Sequence, residues 1–189
     1  MGFIQQGQCL DSTSIEEITV IGYAPGMSKS IDVRSAPFKT QLIGGDVLEL
    51  DLNSDLASLL GSSMSGAHLA DVQGNPFQKD LSFRGYSASP LLGVAQGISV
   101  YIGGSRLNEP LGQEINWDMI PINAISDVTF ISGTTPLYGL NSLGGALSIQ
   151  LKNGFNSRES NVKLTTGSWG RHTANLERGF NNGKYGYYF

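Results

Sequence analysis

The residues most suggestive of chemistry are four glycines that interrupt two strand-like segments, namely Gly133, Gly139, Gly144 and Gly145. A phosphate-binding loop needs the spacing G-x-x-x-x-G followed by a lysine and a hydroxyl residue. Gly139 and Gly144 have this spacing, but glycine and alanine occupy the next two positions. The sequence therefore predicts no nucleotide site here. We interpret the four glycines as turn and close-packing residues, which a missing Cβ permits.

The remaining residue types that carry catalysis are scarce. The chain has two histidines, His68 and His172, and neither belongs to an H-E-x-x-H motif. Glu16 and Glu17 are adjacent, and neighbours on an extended backbone point to opposite faces. The single cysteine, Cys9, excludes an internal disulfide. We predict no enzyme, no catalytic residue, no metal site and no cofactor, although carboxylates that meet only in the folded chain stay open.

Composition narrows the class of partner. The chain of 189 residues has a net charge of −4 and a pI near 5.1, which argues against nucleic acid as a partner. The sequence has no apolar run of about 18 residues that could cross a bilayer as a helix. No basic residue precedes Lys29 and no apolar core follows the first methionine, so an exported protein would need a leader outside this sequence.

The chain divides into segments that differ in residue composition and periodicity. Residues 15–21 are rich in β-branched residues and predict an isolated strand, and residues 23–40 read as a Gly- and Pro-rich linker. From residue 41 a small α+β core begins. Leu56, Leu59 and Leu60 predict one short helix, capped by Asn53 or Ser54 and stopped by Gly61.

Four strands complete this predicted core, over residues 80–86, 97–107, 127–131 and 146–152, with Gly103-Gly104 as a tight turn inside the second. From residue 153 onward the pattern is plain antiparallel, with a strong hairpin signal at Asn182-Gly183. The final segment, residues 185–189, carries four aromatic residues in a strand-like run. We expect the natural chain to continue beyond it, because an open aromatic edge favours aggregation.

Several ordered blocks in the core resemble one known family. They are F-R-G at 83–85, Q-G-I-S-V-Y at 96–101, I-P-x-x-A-I-x-x-V at 120–128 and Y-G-x-x-x-x-G-G-x-L-x-I at 138–149. Together they resemble the plug domain of TonB-dependent outer-membrane receptors, over about residues 46–154. The resemblance implies a plug with a small mixed β-sheet, short helices and long loops, followed by the first antiparallel strands of a truncated transmembrane β-barrel.

The same resemblance implies a domain organisation. Residues 1–22 hold an N-terminal segment with the TonB box, 23–40 a flexible linker, 41–152 the plug and 153–189 the first barrel strands. The TonB box, which would pair with a TonB-like periplasmic energy-coupling protein, comprises Glu17, Ile18, Thr19, Val20 and Ile21. Residues expected to order the plug are Arg84, Gly85, Gly133, Tyr138, Gly139, Gly144 and Gly145.

Uptake of a scarce small molecule across the outer membrane of a Gram-negative bacterium is the implied function. The substrate class stays open between siderophore, cobalamin, haem and sugar. Ligand-facing residues are expected in two long loops, Tyr86, Ser87, Ser89 and Leu91 in the first and Asn108, Gln113, Asn116 and Trp117 in the second. Aromatic and amide side chains suit a polar organic ligand, although Trp117 could equally be a core residue.

The chain departs from the family pattern where charged residues help to hold the plug in the barrel. Ser126, Thr129 and Ser132 stand where two acids and an arginine are common, so this lock is expected to be weaker or built differently. Gly103 replaces the usual aspartate of the hairpin. Three other functions are compatible with the sequence: an orphan soluble plug-like ligand-binding module, a signal transducer of the same receptor class and an all-β carbohydrate-active enzyme.

Overall fold

A computed structural model describes residues 21–22, 31–32, 39–50, 55–71, 74–76, 78–134, 138–157 and 160–189. The helices are α1 Gly45–Leu50 and α2 Leu56–Ser63. The first strands are β1 Ile21–Gly22, β2 Ile31–Asp32, β3 Thr40–Ile43, β4 Ala67–Ala70, β5 Asp80–Phe83, β6 Tyr86–Ala88, β7 Ile98–Ile102 and β8 Ser105–Arg106. They are followed by β9 Ile125–Ser132, β10 Gly145–Leu151, β11 Ser160–Thr166, β12 His172–Asn181 and β13 Gly186–Tyr188.

A five-stranded mixed sheet of order β3-β9-β10-β7-β8 forms the centre of the molecule. β7 and β10 are parallel and the other neighbours are antiparallel. Alternate residues of the three inner strands, such as Val100, Phe130 and Leu147, are at most 1% exposed and form one core with α2. Such alternation places one face of each strand against the helices. The predicted α+β class with a small mixed sheet is confirmed.

The helix predicted around Leu56, Leu59 and Leu60 is present, and its three leucines are buried. Its ends differ from the prediction. Asp55, not Asn53 or Ser54, is the N-cap, because its carboxylate accepts hydrogen bonds from the backbone N–H groups of Ala57 and Ser58. Gly61 does not stop the helix, which continues to Ser63.

The segment predicted as one strand over residues 80–86 is two strands joined by a tight turn. β5 and β6 pair antiparallel around Arg84 and Gly85, both of which have positive φ angles, 50° and 88°. β4 completes this three-stranded sheet by pairing with β5. The ring centroids of Phe83 and Phe130 lie 4.7 Å apart, so the small sheet packs on the central core.

The last three strands, β11, β12 and β13, form a separate antiparallel sheet that we call the outer sheet. The Asn182-Gly183 turn lies between β12 and β13, as predicted. The longest helix of the described residues has eight residues and lacks the length and apolar character to span a bilayer. Glu17, Ile18, Thr19 and Val20 lie outside the described residues, whereas Ile21 pairs with Asp32 in β1 and β2.

Candidate functional site

Three loops, residues 89–97, 107–117 and 138–144, meet at one end of the central sheet. The backbone N–H of Gly144 donates to the carbonyl of Gly97 at 2.8 Å, which joins the first loop to the third. The N–H of Ile115 donates to the carbonyl of Ser89 at 2.9 Å, which joins the first to the second. We call this end of the molecule the apex. It contains both loops predicted to face a ligand.

Residue Ser89 organises the first apex loop from inside the protein. It is fully buried, its N–H donates to the side-chain oxygen of Gln96 at 2.9 Å, and its hydroxyl donates to the carboxylate of Asp80. These bonds hold the loop closed on itself. Ser89 is therefore a positioning residue of this loop and not one that faces a ligand, contrary to the sequence prediction.

Asn108 and Trp117 fix the second apex loop in the same manner. The amide of Asn108 accepts from the N–H of Val100 at 2.7 Å and donates to the carbonyls of Ile98 and Gln113 at 3.1 and 3.2 Å. Asn108 thus continues the hydrogen bonding of β7 as a backbone strand would. Trp117 is 1% exposed and belongs to the main core. The ligand-facing assignment of both residues is wrong, because their side chains are enclosed by the protein.

The other predicted residues lie nearer the surface. Tyr86 is exposed, and Ser87, Leu91, Gln113 and Asn116 are half-buried. The side-chain oxygen of Gln113 accepts a hydrogen bond from the guanidinium of Arg106 at 2.5 Å. Arg106 also donates to the carbonyl of Leu140 at 2.8 Å, which ties the second loop to the third. Sequence reasoning missed Leu92 and Leu111, whose side chains are 74% and 100% exposed.

The glycines of the opening motif have the packing role expected of them. Gly145 has a φ angle of 149°, and a Cβ there would lie 2.6 Å from the carbonyl oxygen of Ile131. Any side chain would therefore push β10 away from β9. A Cβ on Gly144 would overlap the side chain of Tyr86, and Gly133 and Gly139 both have positive φ angles. Steric constraints and backbone conformation alone explain why glycine occupies these positions.

Tyr138 is buried at the end of the central sheet, whereas Arg84 is exposed. The hydroxyl of Tyr101 donates to the carbonyl of Tyr138 at 2.5 Å, and both rings belong to a second apolar cluster on the opposite face of the central sheet. Burial, and then the charge of Tyr101, raise the pKa of the Tyr138 hydroxyl to about 12. The guanidinium of Arg84 lies 5.1 Å from the centre of the Phe83 ring.

An ion pair joins the central sheet to the outer sheet at the end opposite the apex. The ammonium of Lys152 lies 2.9 Å from the carboxylate of Glu177, which also accepts a hydrogen bond from the hydroxyl of Tyr188 at 2.7 Å. Lys152 lies 3.5 Å from Glu49 as well. Burial lowers the pKa of Lys152, but the hydrogen bond and charge of Glu177, with Tyr188 and Glu49, outweigh it, so the pKa is raised above 10.5.

The three positions where charges were expected from the family pattern are uncharged and accommodated locally. Thr129 is 1% exposed within β9. The hydroxyl of Ser132 donates to the carbonyl of Lys39 at 2.8 Å, next to the start of β3. Burial raises the pKa of Asp127 above its ordinary value, and this effect is larger than the lowering by the hydrogen bond from Ser126. Among the described residues, no cluster of His, Cys, Asp or Glu could hold a metal ion.

Several solved structures share this fold, in which a five-stranded mixed sheet is packed against short helices. The chain superposes on the hemophore receptor HasR of Serratia marcescens with a TM-score of 0.58 at 20% identity, covering 79% of this chain and 23% of that one. The chain superposes on the ferripyoverdine receptor of the Pseudomonas aeruginosa outer membrane with a TM-score of 0.62 at 15% identity, covering 86% of this chain and 20% of that one. With the siderophore receptor PiuA of Acinetobacter baumannii the TM-score is 0.56 at 21% identity, and the match covers 78% of this chain and 19% of that one.

The family follows from the sequence itself. Residues 32–146, more than half of the chain, match the family model of the TonB-dependent Receptor Plug Domain, so the chain belongs to that family. A search of the curated proteins gave no match. The chain spans about a fifth of the length of the solved receptors named above.

Proposed function

We propose that this chain is the plug region of an outer-membrane receptor for the energised uptake of a scarce small molecule. In this proposal residues 41–152 fill the lumen of a barrel in a Gram-negative outer membrane, and residues 153–189 are the first strands of the barrel wall. Family membership and the shared plug fold support the role of the core. The two faces of the outer sheet support the role of the wall.

The difference in polarity between the two faces of the outer sheet is the observation that carries the proposal. Its outward face is open to solvent and mainly apolar, with Val162, Leu164 and Leu176 between 63% and 73% exposed, and it also carries His172 and Arg178. Its other face carries Lys163, Asn175, Glu177 and Tyr188, all half-buried, and contacts the central domain through the Lys152–Glu177 ion pair. Strands of a membrane barrel alternate in this sense, apolar toward lipid and polar toward the lumen. A wall strand with a plug behind it needs this arrangement.

Lipid contact is the first test. We would place a photo-crosslinking phenylalanine derivative at position 164 or at position 163 in the expressing cell and irradiate the outer-membrane fraction. Phospholipid adducts should form from position 164 and not from 163, since the two side chains leave opposite faces of β11. Recovery of the protein in the soluble fraction, with adducts from neither position, would instead favour a soluble plug-like ligand-binding module.

Energy coupling requires the proposed TonB box, Glu17–Ile21. An extended segment can add a strand to the partner's sheet through main-chain hydrogen bonds, which demand little of its side chains. Thr19→Pro removes a backbone donor and should abolish binding to the periplasmic domain of a TonB-like protein, whereas Thr19→Ala should not. Calorimetric titration of both variants measures this, and equal binding by the proline variant would remove the assignment.

The ligand is proposed to bind at the apex. The residues retained from the sequence prediction are those near the surface: Tyr86, Ser87, Leu91, Gln113 and Asn116. Arg84, Gly85, Gly133, Tyr138, Gly139, Gly144 and Gly145 are proposed to shape the core beneath it. The apex suits recognition because its loops are held by buried side chains, Ser89 and Asn108, and its surface residues therefore have defined positions.

A further inference from the structure

The outer sheet differs from the rest of the chain in charge. Residues 160–189 contain four lysine or arginine residues and one acidic residue, whereas the whole chain has a net charge of −4. The acidic residue, Glu177, lies on the face toward the central domain and is paired with Lys152. The outward face of residues 160–189 therefore has no acidic side chain, although it carries Arg178. An apolar face whose only charges are basic fits a bilayer with anionic headgroups.

Arg178 lies at the boundary between two kinds of side chain on this face. In β12, Leu176 precedes it and Phe180 follows it at two-residue spacing, so all three leave the same face of the sheet. Leu176 pairs with Val162 of β11, which continues the apolar band. Phe180 pairs with Tyr187 of β13, and their ring centroids lie 5.2 Å apart. Arg178 is thus placed between an apolar band and an aromatic pair.

The guanidinium of Arg178 is available for a ligand. It is exposed and forms no ion pair or side-chain hydrogen bond among the described residues. Its backbone is fixed, because its N–H donates to the carbonyl of Phe189 at 2.9 Å and its carbonyl accepts from the N–H of Phe189 at 3.2 Å. Ser160 lies directly opposite in β11, so its hydroxyl leaves the same face and adds a second donor. A free guanidinium on a fixed backbone can donate two parallel hydrogen bonds to a phosphate.

The position of Arg178 matches the depth of the headgroup layer. Aromatic side chains of membrane proteins concentrate where acyl chains meet headgroups, so Phe180 and Tyr187 would mark that level. Two residues of a strand span about 7 Å, and a long basic side chain can extend over that distance to keep its charge out of the hydrocarbon. The guanidinium would therefore meet phosphates at the aromatic end of the apolar band.

Resting on the proposed function, we propose that Arg178 and Ser160 bind the phosphate of an anionic phospholipid at the aromatic end of the outer sheet. The acyl chains of that lipid lie on Val162 and Leu176, and its phosphate accepts hydrogen bonds from the guanidinium and the hydroxyl. A zwitterionic headgroup fits less well, since its ammonium finds no acidic side chain on this face and Lys184 stands in the adjacent turn. The outer sheet therefore discriminates between lipids by headgroup charge.

Vesicle binding by the 189-residue chain tests this selectivity. Phosphatidylglycerol vesicles are anionic, whereas phosphatidylcholine vesicles are zwitterionic, and sedimentation measures binding to each. Tryptophan fluorescence checks that the outer sheet meets the bilayer, because Trp169 between β11 and β12 is fully exposed and Trp117, the other tryptophan of the chain, is buried. The chain should bind phosphatidylglycerol about tenfold more tightly. Equal affinities, or binding to neither vesicle, would overturn the proposal.

Substitutions separate a bound phosphate from a general effect of charge. Arg178 is exposed and unpaired among the described residues, so its substitution leaves the fold intact. Arg178→Gln should lower the affinity for phosphatidylglycerol about fivefold and leave that for phosphatidylcholine unchanged. Arg178→Lys keeps the charge but loses the planar pair of donors, so it should restore only part of that affinity.

Lys163→Gln is the matched control, because it removes the same charge from the opposite face of the adjacent strand. It should leave vesicle binding unchanged, and losses equal to those of Arg178→Gln would show that net charge alone is responsible, against the proposal. Glycerol phosphate has the phosphate without acyl chains and, at constant ionic strength, should not displace phosphatidylglycerol vesicles. Displacement would assign the site to soluble phosphate esters and would also contradict the proposal.

The outcomes are distinct from those of the proposed function. Lipid adducts from position 164 without a preference for phosphatidylglycerol would leave the receptor proposal intact and remove the phosphate site. A preference that depends on Arg178, without adducts in the outer-membrane fraction, would keep the phosphate site in a protein that is not an outer-membrane receptor.

Discussion

The central sheet and the outer sheet are built from similar strands and differ in what covers them. In β10, five consecutive residues from Gly145 are buried, because helices cover one face and a second apolar cluster lies on the other. In β11 no residue is buried, and both of its apolar residues, Val162 and Leu164, are exposed. Apolar alternation in a strand thus defines two faces but does not say which medium the apolar face meets.

This contrast teaches where stability resides. The central sheet contains its own apolar environment, so its leucines contribute to folding in water. The outer sheet turns its apolar face outward and is held to the centre through polar groups, of which the Lys152–Glu177 pair is the most buried. Three comparisons between the sheets test this division, beginning with the largest expected effect.

Two leucines, one in each sheet, should respond very differently to truncation. Leu147 is fully buried in β10 and Leu164 is 73% exposed in β11. Leu147→Ala should lower the free energy of unfolding by about 2–5 kcal/mol, because it leaves a cavity. Leu164→Ala should change it by no more than about 0.5 kcal/mol. Urea denaturation of the two variants in water measures both, and similar losses would contradict the division.

Two glycines with positive φ angles should also differ. Gly145→Ala meets a backbone oxygen at 2.6 Å and must separate β9 from β10, at a cost of about 2–4 kcal/mol. Gly183 lies in the outer hairpin with a φ of 85° and nothing within 4 Å of a Cβ. Gly183→Ala should cost only about 1 kcal/mol, from the backbone conformation alone. Thermal unfolding compares them, and equal shifts in Tm would show that packing at Gly145 relaxes.

The junction between the sheets should respond to pH. Because the pKa of Lys152 in the folded state lies above 10.5, its stabilising contribution is complete below pH 10.5 and is lost as the pH rises through the folded-state value. Lys152→Met should cost about 1–2 kcal/mol at neutral pH, since water still reaches both partners.

Denaturation of the wild type, Lys152→Met and Lys163→Met from pH 8 to 12 isolates this effect, on the scale set by the ordinary lysine pKa. Lys163 is the matched control, because its ammonium donates to a backbone carbonyl of Glu49 and forms no ion pair with a carboxylate of the described residues. The lysine at position 152 should account for most of the alkaline loss. A wild-type curve parallel to that of Lys152→Met would show that the ion pair contributes nothing.

Much of the local structure could be predicted from the sequence. Two hairpins are fixed at Gly103-Gly104 and Asn182-Gly183, because the positive φ angles of Gly103, Gly104 and Gly183 suit tight turns, and α2 follows from its leucine spacing. The pairing of distant segments could not be predicted. Neither the parallel register of β7 with β10 nor the addition of β3 to β9 has a local signal, because pairing depends on contacts across the whole core.

The apex was predicted in outline and not in detail. The two loops were found from their length and composition, yet Ser89, Asn108 and Trp117 proved to be internal. Residue type states what a side chain can bind and not whether solvent reaches it. Leu92 and Leu111 were missed for the converse reason, since leucine in a sequence suggests a core. Only the folded chain shows that they project from the loop tips.

The order of strands in the central sheet has a mechanical consequence. β3 and β10 run in the same direction, with Thr40 level with Ile131 and Ala146, so the chain enters the sheet at one end and leaves at Leu151 at the other. A tension applied through the N-terminal segment and resisted at the outer sheet would run along the strands. The hydrogen bonds between β3 and β9 would then be loaded together in shear instead of opening one after another. Since β3 contributes four residues and lies at the edge, it is the strand that would slide first, while β9, β10 and β7 stay assembled.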